Sequence, residues 1–152
     1  MTIADAVTTI AAFWGAVLST IVAVRDFNSR RPRIRIREFY QISPGMNDRF
    51  TIRAENIGIK TIMLNKLPGL NLLDGIVLCL PDFVPDDPSK CYLQPGASCS
   101  FSVDQTLLAR ALIDLGYHGK VKYRASVTDE LGIEYLGEKS IFNTDHHMKQ
   151  QS

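Results

Sequence analysis

The side chains in this 152-residue sequence best suited to chemistry are three cysteines, three histidines and an aspartate-bearing loop. Thiolates can act as nucleophiles, bind zinc or form disulfides. Cys79, Cys91 and Cys99 are poorly spaced for all three: no CxxC or Cys/His pair matches a zinc site, and an odd, irregular set makes a poor disulfide framework. Neither Cys91 nor Cys99 has a histidine at a plausible partner position in the sequence. They read as reduced thiols in or near a core, which fits a reducing compartment. His118, beside Gly119 and ahead of a strand, reads as a solvated loop residue. His146 and His147 fall in the polar tail NTDHHMKQQS, and two adjacent histidines alone hold metal weakly. Asp82, Asp86 and Asp87 could offer oxygens to calcium, but the prolines of PDFVPDDPSK break the alternating spacing such loops need. No Gly-rich phosphate loop, GxSxG or HExxH occurs. The expectation is a non-enzymatic protein with no catalytic residue, cofactor or metal site.

The elements that must carry these residues are set by charge and periodicity. Net charge is +1, so no global field favours nucleic acid as a partner. The charges are unevenly placed, however. Asp5 is the only charge before Arg25. Arg25, Arg30, Arg31, Arg33, Arg35 and Arg37 then face Asp26 alone, and residues 38–152 are mildly acidic. The chain divides into an apolar head, a basic collar and an acidic body.

Ala6 to Val24 (AVTTIAAFWGAVLSTIVAV) carries no charge. As a helix it would extend roughly 28 Å, close to a bilayer's hydrocarbon thickness. A cleaved signal peptide would need a basic start and a small-residue cleavage site, and the N-terminus here is acidic. An interfacial amphipathic helix would carry Lys or Arg on one face, and none is present. The expectation is a transmembrane helix over 1–25, with a packing helix of a soluble protein as the alternative. Ala12, Gly15, Ala16, Ser19 and Ala23, together with Thr8, form a small-residue stripe suited to helix self-association. Ile10, Phe13, Trp14, Val17, Ile21 and Val24 form a bulky one. The arginine-rich collar, 26–37, is expected to stay on the cytoplasmic side, with Arg25, Arg30, Arg31 and Arg33 at the membrane surface. Asn28, Ser29 and Pro32 are expected to interrupt the helix.

From Arg33 the period becomes two. Arg33–Arg37, Phe50/Ile52/Ala54, Cys99/Phe101/Val103 and Val121/Tyr123/Ala125/Val127 alternate as strands do. Ile59–Leu67 is a further apolar run. Gly75–Leu80 is continuously apolar, as suits a buried strand, and a last strand runs through Ile133 and Tyr135. Between them Asp104 can cap a short helix carrying Leu107, Leu108, Ala111, Leu112 and Leu115, with Gly116 placed to end it. About seven strands with Gly/Pro/Asn turns predict a β-sandwich over 33–143, followed by a disordered tail over 144–152. The body's aromatic residues, Phe39 and Tyr92 among them, read as core. Phe83 is the exception: it and Val84 sit in the acidic, proline-rich loop and are the expected exposed contact with a partner.

The phrases LQPGASCSFSV and KVKYRASVTDELGIEYLG, either side of the short helix, resemble the final strands of bacterial immunoglobulin-like or fibronectin-type modules over Tyr92–Gly137. No Cys-Trp-Cys signature accompanies them, because the one Trp is in the head. The whole layout resembles small bacterial single-pass membrane proteins with an immunoglobulin-like domain. The expected function is a membrane-tethered binding or scaffolding module at the inner membrane, presenting its domain to a cytoplasmic protein and able to self-associate. The alternative is a membrane-active effector whose helix oligomerises and perturbs the bilayer.

Overall fold

A computed structural model describes residues 3–29, 31–42, 48–65, 67–79, 83–85, 87 and 91–145. A long helix α1 (Ile3–Ser29) precedes a mainly β body. The described strands are β1 (Ile34–Gln41), β2 (Arg49–Asn56), β3 (Ile62–Met63), β4 (Gly69–Leu72), β5 (Val77–Cys79), β6 (Val84–Pro85), β7 (Tyr92–Leu93), β8 (Ser98–Asp104), β9 (Lys120–Thr128) and β10 (Glu134–Asn143), with α2 (Gln105–Asp114) between β8 and β9.

Two antiparallel sheets, ordered β1-β2-β8-β6 and β10-β9-β4-β5, carry the body, and β3 and β7 form a small ribbon. The period-two pattern sets the register. Phe50, Ile52 and Ala54 on β2 stand opposite Val103, Phe101 and Cys99 on β8, and all six are buried. They join Leu70 and Leu72 of β4, Val121, Tyr123, Ala125 and Val127 of β9 and Phe142 of β10 in one core. Phe50 is the bridge between layers. Its ring meets Tyr123 edge-on at 6.0 Å and Phe142 at 6.3 Å. Each such buried side chain stabilises the fold by about 1.5–3 kcal/mol.

Local chemistry closes the elements. Asp104, in an extended conformation, accepts the Thr106 N–H at 2.7 Å and caps α2. Gln105 is buried and donates to the Arg49 carbonyl at 2.9 Å, fixing the helix start to β2. Gly116, at φ +88°, ends the helix in the left-handed region that favours glycine. Leu108 and Leu112 face the core as the spacing predicts, whereas Leu107 and Leu115 are exposed. Asp129 is buried and accepts from Leu131 N–H, Ile133 N–H and the Tyr135 hydroxyl, which shapes the β9–β10 turn.

Several boundaries differ from the sequence expectation. The helix continues past residue 25 through Asn28 to Ser29; the steric bias of Pro32 acts on Arg31, beyond that end. Among the described residues of Ile59–Leu67, only Ile62 and Met63 of β3 form a strand. Gly75–Leu80 is not a buried strand: β5 is an edge, with Val77 and Cys79 exposed. The buried strand is β4, whose Gly-Leu-Asn-Leu sequence reads more like a turn. Its glycine has a steric reason, since a Cβ on Gly69 would lie 3.0 Å from the Ser126 hydroxyl. β10 reaches Asn143, and Thr144, expected in a disordered tail, is buried with its N–H on the Gly119 carbonyl at 3.0 Å. His146, His147 and the rest of the tail lie outside the described residues.

Among the described residues no helix is long and apolar enough to cross a membrane.

Candidate functional site

β1 and β10 are edge strands of different sheets that meet along one side of the body. They come closest where Gly137, at a register shift in β10, faces Ile36. A Cβ there would lie 3.3 Å from both the Ile36 Cγ2 and the Ala125 carbonyl. Further along, the inward register of β1 changes from apolar to polar: Ile34 and Ile36 are followed by Glu38 and Tyr40. The Tyr123 hydroxyl donates to Glu38 Oε2 at 2.6 Å and lies 2.9 Å from the Tyr40 hydroxyl. Tyr40 also stacks at 6.4 Å on Phe142 and tilts at 5.3 Å against Phe50.

Burial pushes the Tyr123 hydroxyl far above its ordinary range, and its bonds to Glu38 and Tyr40 add to this. Burial raises Tyr40 as well, against the opposing effect of its hydrogen bond with Tyr123. Both hydroxyls therefore stay neutral near pH 7. They can donate and orient a carboxylate but do not serve as bases or nucleophiles. Beside them lies a groove of 540 Å³ lined by Arg35, Arg37, Phe39, Glu138 and Ser140 among others. The seam therefore offers two neutral hydroxyls and a carboxylate beside a charged groove.

The residues singled out from sequence lie elsewhere. Ala12, Gly15, Ala16, Ser19 and Ala23 are exposed along α1, and a Cβ on Gly15 would meet nothing within 4 Å. Ile10, Phe13, Trp14, Leu18, Ile21, Val22 and Val24 are exposed as well. Arg25, Arg31 and Arg33 are exposed, and Arg30 lies outside the described residues. The collar is not a loose linker: the Ile57 N–H donates to the Arg33 carbonyl at 3.0 Å, and a Cβ on Gly58 would lie 3.0 Å from Arg33 N.

Phe83 requires correction. It is buried, 1% exposed, with its ring edge-on to Phe50 at 6.1 Å. Loop composition hid a core anchor, because the short strand β6 that it precedes pairs with β8 and carries Phe83 inward. Val84 pairs with Ser102, and its side chain lies outside the described residues. Phe39 and Tyr92 are the converse case, exposed rather than core. Cys91 and Cys99 are buried free thiols with sulfurs 3.6 Å apart, while Cys79 is exposed. Among the described residues no group of three or more His, Cys, Asp or Glu side chains could hold a metal ion.

Two features went unread in the sequence. The seam was signalled by an acidic residue, Glu38, in the inward register of an otherwise apolar strand face. Asn56 had a turn signature but no sign of its burial: its amide donates to the Lys60 carbonyl at 2.7 Å and the Leu93 carbonyl at 2.9 Å, while its oxygen accepts the Gly58 N–H. No protein-family model, curated protein or solved structure matches the chain.

Proposed function

We propose that the chain is a non-enzymatic binding module tethered to a membrane by α1, with an immunoglobulin-like β-sandwich facing the cytoplasm. The observation that carries this is the exposure of α1. Its bulky apolar side chains, Trp14 and Phe13 among them, are exposed, and none of the described residues of the body buries them. An apolar helix left bare by its own domain needs a lipid or protein environment.

The strand orders support the immunoglobulin-like reading. β1-β2-β8-β6 and β10-β9-β4-β5 correspond to the A-B-E-D and G-F-C-C′ arrangement of such domains, with α2 in the E–F connection. The basic collar supports the orientation, and the Cys91 and Cys99 sulfurs, 3.6 Å apart and not joined in a disulfide, fit a reducing compartment. The groove at the β1/β10 seam is the natural place for a cytoplasmic protein partner.

The test is thiol labelling with membrane-impermeant maleimide on intact and lysed cells, followed by carbonate extraction of the membranes. Labelling of exposed Cys79 only after lysis, with the chain retained in the washed membrane, is expected. Labelling in intact cells would invert the orientation, and carbonate release would remove the tether.

The exposed small-residue side of α1 favours a second reading, a membrane-active effector that oligomerises through Gly15 and its neighbours. Gly15→Leu distinguishes the two. Vesicle leakage that disappears with this change supports the effector; unchanged anchoring without leakage supports the tethered module.

A further inference from the structure

The outward face of the β1-β2-β8 sheet has a composition that the seam and the helix do not explain. Its cross-strand rows are fixed by register: Arg35–Glu55–Ser98, Arg37–Arg53–Ser100, Phe39–Thr51–Ser102 and Gln41–Arg49–Asp104. Arg37 and Arg53 stand directly opposite each other, an arrangement that is unfavourable by itself because like charges repel across a strand pair. Carboxylates occur in these rows only at the two ends, and Asp104 is committed to capping α2.

The middle of the face is rich in donors. Arg53 places Nε and Nη2 at 3.1 and 2.9 Å from the Ser98 hydroxyl rather than on an acid. Thr51 and Ser102 hydroxyls lie 3.0 Å apart. A shallow groove of 390 Å³ runs over Phe39, Arg49, Thr51, Arg53, Ser100 and Ser102. Guanidinium forks with hydroxyls beside them match phosphate oxygens in geometry and charge. An anion seated there would also relieve the Arg37/Arg53 repulsion. Phe39, 44% exposed in the middle of the face, adds an apolar side chain suited to the headgroup–acyl boundary.

We propose that this face docks on the phosphate headgroups of an anionic bilayer. The proposal rests on the tethered reading for its choice of phosphate source. β1 begins at Ile34, directly after the collar that follows Ser29. At roughly 3.3–3.6 Å per residue, the start of the face at Ile34 is held within about 18 Å of the end of α1, which the tethered reading puts near headgroup level. The collar arginines and the sheet arginines then form one continuous basic surface.

The test uses the full chain with Cys79→Ser, so that the buried Cys91 and Cys99 stay unlabelled. A fluorophore is placed at Thr51→Cys on the docking face or, as control, at Lys122→Cys on the exposed part of β9. Each protein is reconstituted into phosphatidylcholine vesicles with or without phosphatidylserine, with a quencher on the lipid headgroups. Quenching at position 51 is expected to exceed that at 122 only with phosphatidylserine. Arg37→Glu with Arg53→Glu is expected to lower the docked-to-undocked ratio by roughly tenfold or more, and Arg37→Gln with Arg53→Gln by less.

Equal quenching at 51 and 122 in both vesicle types, or quenching untouched by the charge reversals, overturns the proposal. Inorganic phosphate that shifts the position-51 dye in detergent, with no lipid dependence in vesicles, overturns the lipid assignment and makes the face a site for a soluble anion. A chain that carbonate releases, yet floats only with phosphatidylserine vesicles and loses this with Arg37→Glu/Arg53→Glu, sinks the tether and keeps the docking face.

Discussion

Helix α1 and the β body use similar apolar side chains in opposite ways. Phe13 on α1 is 67% exposed, whereas Phe50 on β2 is fully buried between the sheets. In the body the apolar residues alternate and their faces close on each other, so burial is internal. In α1 the large apolar side chains lie exposed along the helix, and no described residue buries them. The stabilising burial is therefore in the body, and α1 adds exposed apolar surface.

The sharpest way to break this comparison is to truncate one aromatic residue in each region. Phe50→Ala should cost about 3–5 kcal/mol in urea unfolding of the full chain, since the ring bridges both layers. Phe13→Ala should change the unfolding of the body by less than about 0.5 kcal/mol. A comparable loss from both would mean that α1 packs on the body after all.

Next in size is Asn56→Ala. It removes three hydrogen bonds at a fully buried position and should cost about 1–3 kcal/mol. The same unfolding curves measure it. No change would mean that the β2–β3 turn holds itself.

The contrast extends to pH, because the tyrosines with shifted hydroxyls all belong to the body. Burial first, then the bond to Asp129, pushes the Tyr135 hydroxyl up to about 12 from its ordinary 10.0. Its raised value favours the neutral form in the folded state. The contribution is therefore complete below pH 10 and is lost as pH rises from about 10 to 12. Tyr135→Phe should flatten stability over that window; an unchanged alkaline slope would assign the loss to Tyr40 and Tyr123.

The smallest effect belongs to Cys79. Cys79→Ser should leave stability within about 0.5 kcal/mol while removing the thiol labelling of the folded body. Cys91 and Cys99 should label only in denaturant, which mass analysis of the labelled chain would show.

Much of the fold was legible where alternation was clean. The inward sets of β2, β8 and β9 could be read residue by residue, as could the Asp104 cap and Gly116 stop of α2. What failed has a common physical cause: the period identifies a face but not its partner. The run from Gly75 is apolar, yet its strand β5, Val77–Cys79, is an edge among the described strands, because β4 takes the place beside β9. Phe83 sits in loop-like sequence yet fills the core, because a two-residue pairing with β8 fixes it. Phe39 and Tyr92 are aromatic yet point outward, because register outranks residue type. The seam depends on Glu38, Tyr40 and Tyr123, and the last two are separated by 83 positions, a juxtaposition no local pattern encodes.

The Arg33–Ile34 entry also has a mechanical meaning. Any tension on α1 reaches the body at the start of β1, where Ile34 stands opposite Asn56. Asn56 is knotted to the Leu93 carbonyl on β7 as well as to its own turn, and Ile57 grips the Arg33 carbonyl. A pull therefore loads two sheets at once instead of peeling an edge strand away. The first bond to yield under force on α1 should be the one from Ile57 to Arg33.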